Sequence, residues 1–405
     1  MHRRVMQPRA DWPAQLDRIG VTYHSLDGGY WREDAAYELS ETQVDGLASA
    51  TASLHRLCVE AVERIIREDR FADLRILEQW RPRIIESYER QEPSLYGRFD
   101  FWYDGIGAPK LLEYNADTPT SLLEAAVGQW GWLREICQEA DQFNSLHERL
   151  IGQWRTIRRQ ASTDLLHLAC LDGSDEDRQT VTYLADTASQ AGWRVQTLPI
   201  EQIGWESGRR RFVDHRNEPI SALFKLYPWE WMCQDAFATE LSRSSMMVLE
   251  PAWKQVLSHK GLLALLWEWY PDHPNLLPAF FSGPGNCAAY VRKPFWSREG
   301  ANISIVNGDQ VLTTGGPYDV QLSVYQQYMP LPVFEGWHPV IGSWVVGDDP
   351  AGIGIREDRG LIHGNQSRFV PHVVVQDAFD AKRGGYLLNR AGPVDFRKES
   401  TGMVQ

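Results

Sequence analysis

A chain of 405 residues with 43% hydrophobic and 23% charged residues has an ordinary soluble composition and is too long for one simple core, so two or three lobes are expected. Its formal net charge of −13 argues against broad nucleic-acid binding, which needs a basic footprint; it suits a cationic substrate such as a polyamine and equally suits solubility alone. Five widely spaced cysteines with no CxxC pair speak against a disulfide framework, a zinc site or a redox motif, and no apolar run reaches the ~18 residues of a membrane span.

The N-terminal Met-His-Arg-Arg stretch is basic, but no apolar run follows it, so no signal peptide is expected and the cytoplasm is the simplest compartment. Residues 1–35 read as irregular, rich in Gly, Pro and aromatics. From Leu39 to about Glu92 the pattern is helical, with Val44, Leu47, Leu54, Leu57, Val62 and Ile65 near a 3.6-residue period.

Next come two strand-like stretches, one around Arg98-Phe99-Asp100-Phe101 and one over Lys110 to Asn115, joined by the turn Asp104-Gly105-Ile106-Gly107. Alternation puts Arg98 and Asp100 on one face of the first strand, and Glu113 and Asn115 on one face of the second. Paired as a hairpin, they bring three oxygen-bearing side chains and a guanidinium together. Such oxygens are the hard ligands Mg²⁺ prefers, often beside substrate phosphates; the same residues also fit an exposed hairpin with ordinary charges. Thr118-Pro119-Thr120-Ser121 then predicts a helix start, with Pro in the first turn and Glu124 close behind. Its N–H groups would offer an anion site.

Leu165 to Leu171 is an apolar run of strand length. A turn at Asp172-Gly173-Ser174, a helix over 176–191 and a strand at Arg194 to Leu198 complete a βαβ unit, and Ala222 to Leu226 repeats the strand pattern. Glu230 stands between two tryptophans, which suits a cation-holding pocket or core packing with a surface carboxylate. Trp253 to Tyr270 predicts one strong helix, with Lys260 in or beside it, where a lone lysine is more often solvated than functional.

Past residue 270 short strands dominate, at Tyr290–Pro294, 302–305, 320–328, 339–346, 352–356 and 369–375, and predict an antiparallel-rich lobe. The loop from Lys293 to Asn302 contains Arg298, a natural fork for phosphate or carboxylate oxygens, and Gly300, which permits close backbone approach to a ligand. A hairpin with a solvated Arg-Glu pair is the plainer alternative. Gln326-Gln327-Tyr328-Met329 ends a strand and could offer backbone groups to a base. Arg356 ends a Gly-rich strand and would suit a phosphate. Walker A, GxSxG, HExxH, GxGxxG and EF-hand patterns are all missing.

In chain order these pieces resemble the glutathionylspermidine synthase family of ATP-grasp amide ligases, over roughly residues 20–380. The likeness rests on Arg98 to Phe101, Leu112 to Thr120, Tyr227-Pro228-Trp229-Glu230, Lys293-Pro294 with Arg298-Glu299-Gly300, and Gly352 to Arg356. It is strongest to short, stand-alone members without an amidase domain. The resemblance implies an α/β and α+β chain with an ATP-grasp fold: a helical segment with the metal-binding hairpin at 1–160, an α/β lobe at 161–250, and an ATP-binding lobe at 251–405, the lobes interleaving.

It further implies Asp100, Glu113 and Asn115 as ligands of Mg²⁺, two ions in all, and Lys260 and Lys293 on ATP phosphates. Gly300 would belong to the phosphate loop, and Gln326, Gln327, Tyr328 and Met329 to the adenine hinge. Arg98, Arg298 and Arg356 would act at the reacting centre, and Thr118, Thr120, Asp177 and Glu230 would contact substrate. The implied reaction joins a glutathione-like carboxylate to a polyamine or other amine through an acyl phosphate. Full-length members carry small hydroxyl residues where this chain has Thr118-Pro119-Thr120, a departure in the substrate segment. A silent ATP-binding or scaffold homologue, a ligase for unrelated peptides and amines, and a carboxylate kinase or phosphatase-like nucleotide enzyme are the other readings. The expected partners are small molecules, with neither nucleic acid nor membrane.

Overall fold

The computed structural model describes residues 1–376; the expected third segment, 251–405, and the end of the resemblance near residue 380 both run beyond them. Four parallel strands, Met247–Leu249, Ala222–Leu226, Leu165–Cys170 and Arg194–Pro199, form one sheet in that spatial order. The helix Asp175–Gln190 is the crossover between the third and fourth, and Ser174 caps it by accepting the Asp177 N–H at 3.2 Å. This is the βαβ unit expected from the sequence.

Two five-stranded sheets are antiparallel throughout. One runs Ala279–Phe280, Ser323–Gln327, Ala289–Pro294, Ser304–Asn307, Gln310–Thr313. The other runs Arg368–Val370, Asp349–Asp358, His338–Val346, Tyr96–Trp102, Lys110–Asn115. The early hairpin is therefore an edge of a sheet built otherwise from late strands. Strand Tyr96–Trp102 is buried at every position, because the helix Glu41–Arg67 lies over this sheet, with Leu47, Leu54, Cys58, Ala61 and Ile65 in the core they share. Ser40 starts that helix with a capping box, its side chain accepting from Gln43 N–H while Gln43 returns a bond to the Ser40 N–H.

Residues 1–35 are more ordered than their composition predicts. His2–Val5 pairs antiparallel with Ala35–Ser40, which pairs parallel with His372–Val375. Charge conceals this first strand in the sequence: Arg3 is buried, and its guanidinium makes two 2.7 Å bonds to Glu357. Nor is 39–92 one helix. The helix Glu41–Arg67 is separated from Arg81–Glu89 by turns in which Asp69 and Arg75 take left-handed backbone angles, a conformation that composition does not announce.

His372 illustrates how the interior fixes protonation. Its Nε2 accepts the Phe143 N–H at 3.1 Å, so Nδ1 carries the proton and donates to Gln129 Oε1 at 2.8 Å. An imidazolium has no acceptor to offer Phe143. Burial holds His372 down to about 3; burial, and then Lys260, hold His259 at about 3. Both rings stay neutral in the fold while the unfolded chain takes up protons below pH ~6.5, so stability is lost as pH falls through that value toward 3. At pH 5 each should cost ~2 kcal/mol. Thermal melts at pH 7.5 and 5.0 should show a larger drop in the wild type than in His372→Asn; equal drops would refute the assignment.

Candidate active site

The Tyr96–Trp102 and Lys110–Asn115 strands pair with Arg98 opposite Asn115 and Asp100 opposite Glu113, followed by a register shift after Asp100. Alternation therefore gathers all four side chains on one face. Arg98 holds Asp100 through Nε at 2.6 Å and Nη2 at 3.1 Å, and its Nη1 donates to the Thr120 carbonyl at 2.6 Å. Arg356 reaches the same carboxylate at 2.7 Å from strand Asp349–Asp358. Asn115 donates to Glu113 Oε1 at 2.9 Å, and Lys260 lies 3.0 Å from Glu113 Oε2. Burial works against ionisation of Glu113, yet Lys260 and Lys293 hold its carboxyl well below the usual carboxylate range.

Lys260 is not inside a helix. The stretch expected to run unbroken from Trp253 to Tyr270 parts into Gln255–Ser258 and Leu262–Trp269. At the break His259 is extended, its ring accepts the Gly261 N–H at 2.9 Å, and the Lys260 N–H bonds Phe295 carbonyl at 3.1 Å. The break turns Lys260 toward Glu113. Lys293, at the end of strand Ala289–Pro294, donates to the Leu112 carbonyl at 2.8 Å and to Gln326 Oε1 at 2.7 Å. Burial lowers this ammonium to about 8, against the pull of Glu113.

Arg298 leaves its loop to bind Glu230 Oε1 through Nε at 3.1 Å and Nη2 at 2.6 Å, with Nη1 on Thr118 Oγ1 at 2.9 Å. Glu230 is thus a buried partner of an arginine, not a surface carboxylate. The Arg298 loop takes left-handed angles at the non-glycine residues Glu299 and Asn302, with Gly300 between them adopting the same region freely. At Gly300 it is the His363 carbonyl that fills the space a Cβ would need, so this glycine serves contact with backbone.

The helix expected at Thr118 begins later. Ser121 has a φ of 65°, which ends the loop and starts the helix at Leu122, with a π-helical stretch over Glu124–Gly128. Pro119 therefore stays in the loop, outside the first turn. In the hinge, Gln327 and Tyr328 spend their N–H groups on Pro278 and Ala289 carbonyls, and the Gln326 amide is taken by Lys293 and the Leu111 carbonyl.

A cavity of about 300 Å³ joins these segments. Arg98, Asp100, Glu113, Asn115, Thr118, Thr120, Asp177, Lys260, Lys293, Arg298, Gly300, Arg356 and residues 326–329 all line it. Glu230 does not, and stands behind Arg298. The cavity lies at the carboxyl ends of two parallel strands, where Leu171 and Leu226 face it, the usual place for ligands in α/β sheets.

Three supporting features escaped the sequence reading. Asp117 is buried against Lys225, accepts the Trp229 N–H at 2.9 Å, and so ties Thr118 to Glu230. Glu124, fully buried, accepts from Tyr30 at 2.6 Å, while the Tyr30 hydroxyl also meets Ser121 Oγ at 3.0 Å; burial raises this acid. Burial, then Glu124, Asp177 and Glu299, push Glu176 up to about 8, with Arg356 opposing. Asp117 lies inside the quoted Leu112–Thr120 segment, Ser121 directly follows it, and Glu176 stands in the helix cap read after Asp172, so all three were within reach; Tyr30 carries no local signal.

Fold and cavity together define a mixed α/β protein whose central cleft combines carboxylates with lysine and arginine drawn from both antiparallel sheets. Comparison with known proteins names the family. The family model for the glutathionylspermidine synthase preATP-grasp region matches residues 3–375, and the chain belongs to the glutathionylspermidine synthase family.

A Haemophilus influenzae protein provisionally named an acid–amine ligase is 42% identical over 384 residues, covering 91% of this chain and 98% of that protein. Trypanothione synthetase of Crithidia fasciculata is 27% identical over 385 residues, covering 88% of this chain and 57% of that enzyme, so the chain spans little more than half of the latter's length. Among solved structures, a glutathione synthetase-like effector from Globodera pallida aligns with a TM-score of 0.57 at 9% identity, covering 91% of this chain and all of that one, a likeness of fold alone.

Proposed function

We propose that the protein is an ATP- and Mg²⁺-dependent carboxylate–amine ligase of the ATP-grasp type, joining a peptide carboxylate to a polyamine or another amine. The observation that carries this reading is the meeting of Asp100, Glu113 and Asn115 with Lys260, Lys293 and Arg356 around one cavity. Among the described residues no group of three or more His, Cys, Asp or Glu side chains could hold a metal alone. Two carboxylates and an amide are instead a donor set for Mg²⁺ that shares its shell with phosphate oxygens. Asp100, Glu113 and Asn115 would hold two such ions, which supply charge neutralisation.

In this reading Lys260 and Lys293 bind the ATP phosphates and residues 326–329 the adenine, with the Met329 N–H, which has no partner among the described residues, as the donor. Arg98 and Arg356 would orient the carboxylate that receives the γ-phosphoryl group, with ADP leaving. The amine then attacks the acyl phosphate and expels phosphate. Such chemistry depends on alignment and charge balance more than on covalent help from the protein. Arg298 would leave Glu230 and Thr118 to close on the reacting groups, and Asp177 would face the substrates. The names of the relatives support glutathione-like acids and polyamines as substrates. We also propose the three-segment division at residues 160 and 250, with the hairpin contributed to the ATP-binding sheet.

The test is ADP release with Mg·ATP against panels of peptides and polyamines, each alone and in pairs. Turnover only when an acid and an amine are both present is the expected result. Release with the acid alone would replace the ligase by a carboxylate kinase.

A further inference from the structure

The parallel sheet has a second opening at its other end. Strands Leu165–Cys170, Ala222–Leu226 and Met247–Leu249 all begin beside a cavity of about 700 Å³. Ser221 on its wall immediately precedes Ala222, and Ser162 and Ser244 each stand three residues ahead of their strands, whereas the cavity described above lies past the carboxyl ends of Leu165–Cys170 and Ala222–Leu226. A five-residue strand separates the two by roughly 17 Å.

The lining is basic and rich in hydroxyls in a chain of net charge −13. Arg210 and Arg211 come from the Gly204–Glu206/Arg211–Val213 hairpin, and Arg243 faces them from the segment before Met247–Leu249. Glu240 is the one acidic residue of the wall. Glu206 outside it takes up Arg211 at 2.7 Å and Arg209 at 3.2 Å. Arg210 and Arg243 have no ion-pair partner among the described residues.

We infer that this opening is an anion-binding site for a small molecule bearing a phosphate or diphosphate group. Each guanidinium offers five N–H donors in a planar fork, and a single carboxylate has about four lone-pair positions. Two unpaired arginines with several serine hydroxyls therefore match a phosphoryl group better than a carboxylate. Arg210 holds a left-handed backbone angle of 50° in the turn of this hairpin, an uncommon setting for a residue with a side chain.

Equilibrium dialysis with inorganic pyrophosphate tests this without any knowledge of the reaction. The full chain should bind pyrophosphate in two classes of site. The double variant Arg210→Ala/Arg243→Ala should lose one equivalent with its melting temperature unchanged, since both side chains are exposed. Lys293→Ala should lose the other. Undiminished binding in the arginine variant overturns the inference, whereas undiminished binding in Lys293→Ala counts only against the ATP assignment.

Discussion

Replacing Glu113 by alanine is expected to lower acid- and amine-dependent ADP release by about 100-fold, the top of the ~10–100-fold range over which outer partners of a metal site act. Glu113 is the carboxylate that faces both lysines, and Lys260 lies within 3.0 Å of it. Its loss would leave Lys260 and Lys293 repelling each other and Asn115 without its acceptor. The strand should persist, because its pairing with Tyr96–Trp102 is made by backbone, so melting should change little. Glu113→Gln, which keeps shape and removes charge, should behave like alanine if the carboxylate holds metal. Turnover close to wild type in either variant would end the metal assignment.

Asp117→Ala should destabilise the fold by ~3–5 kcal/mol, the usual cost of stranding a buried charge. Lys225 is fully buried and Asp117 is its counter-ion. Burial already pulls the Lys225 ammonium down, and Asp117 opposes that pull. The Trp229 N–H would lose its acceptor as well. Adding Lys225→Met should recover much of the loss, because the unpaired charge is then gone. Urea unfolding of the three variants measures this cycle; a loss under about 1 kcal/mol for Asp117→Ala would show that the pair is worth no more than a surface one. The folded fraction of Asp117→Ala should also hold Arg298 less firmly, since Asp117 orders both Thr118 and the turn carrying Glu230.

The hairpin at 98–115 was legible because alternation and a glycine turn are local properties, whereas the register that sets Asp100 against Glu113, with its shift after Asp100, is seen only in the fold. The βαβ unit was legible for the same reason. What the sequence concealed was set by distant partners. Arg3 reads as surface charge until Glu357, 354 residues away, is brought against it. Glu230 reads as an odd carboxylate between tryptophans until Arg298 arrives from another loop. The interruption at His259 needs the Phe295 carbonyl, and the late helix start needs Ser121 to take a left-handed angle. The residues around the cavity were nameable from a family likeness; Asp117 and Glu124 stood in or beside the quoted segments, but their buried partners Lys225 and Tyr30 are set by distant parts of the chain.

The placement of Tyr96–Trp102 between Lys110–Asn115 and His338–Val346 has a consequence for the order of events during translation. The hairpin leaves the ribosome some two hundred residues before its inner neighbour. Until residue 346 has emerged, a strand destined to be buried at every position keeps one side open to any other edge that passes. Asp100 lacks Arg356 throughout that interval. Nascent chains halted before His338 should therefore engage chaperones or aggregate through this strand, and the cavity between Asp100 and Arg356 should be among the last features a growing chain completes.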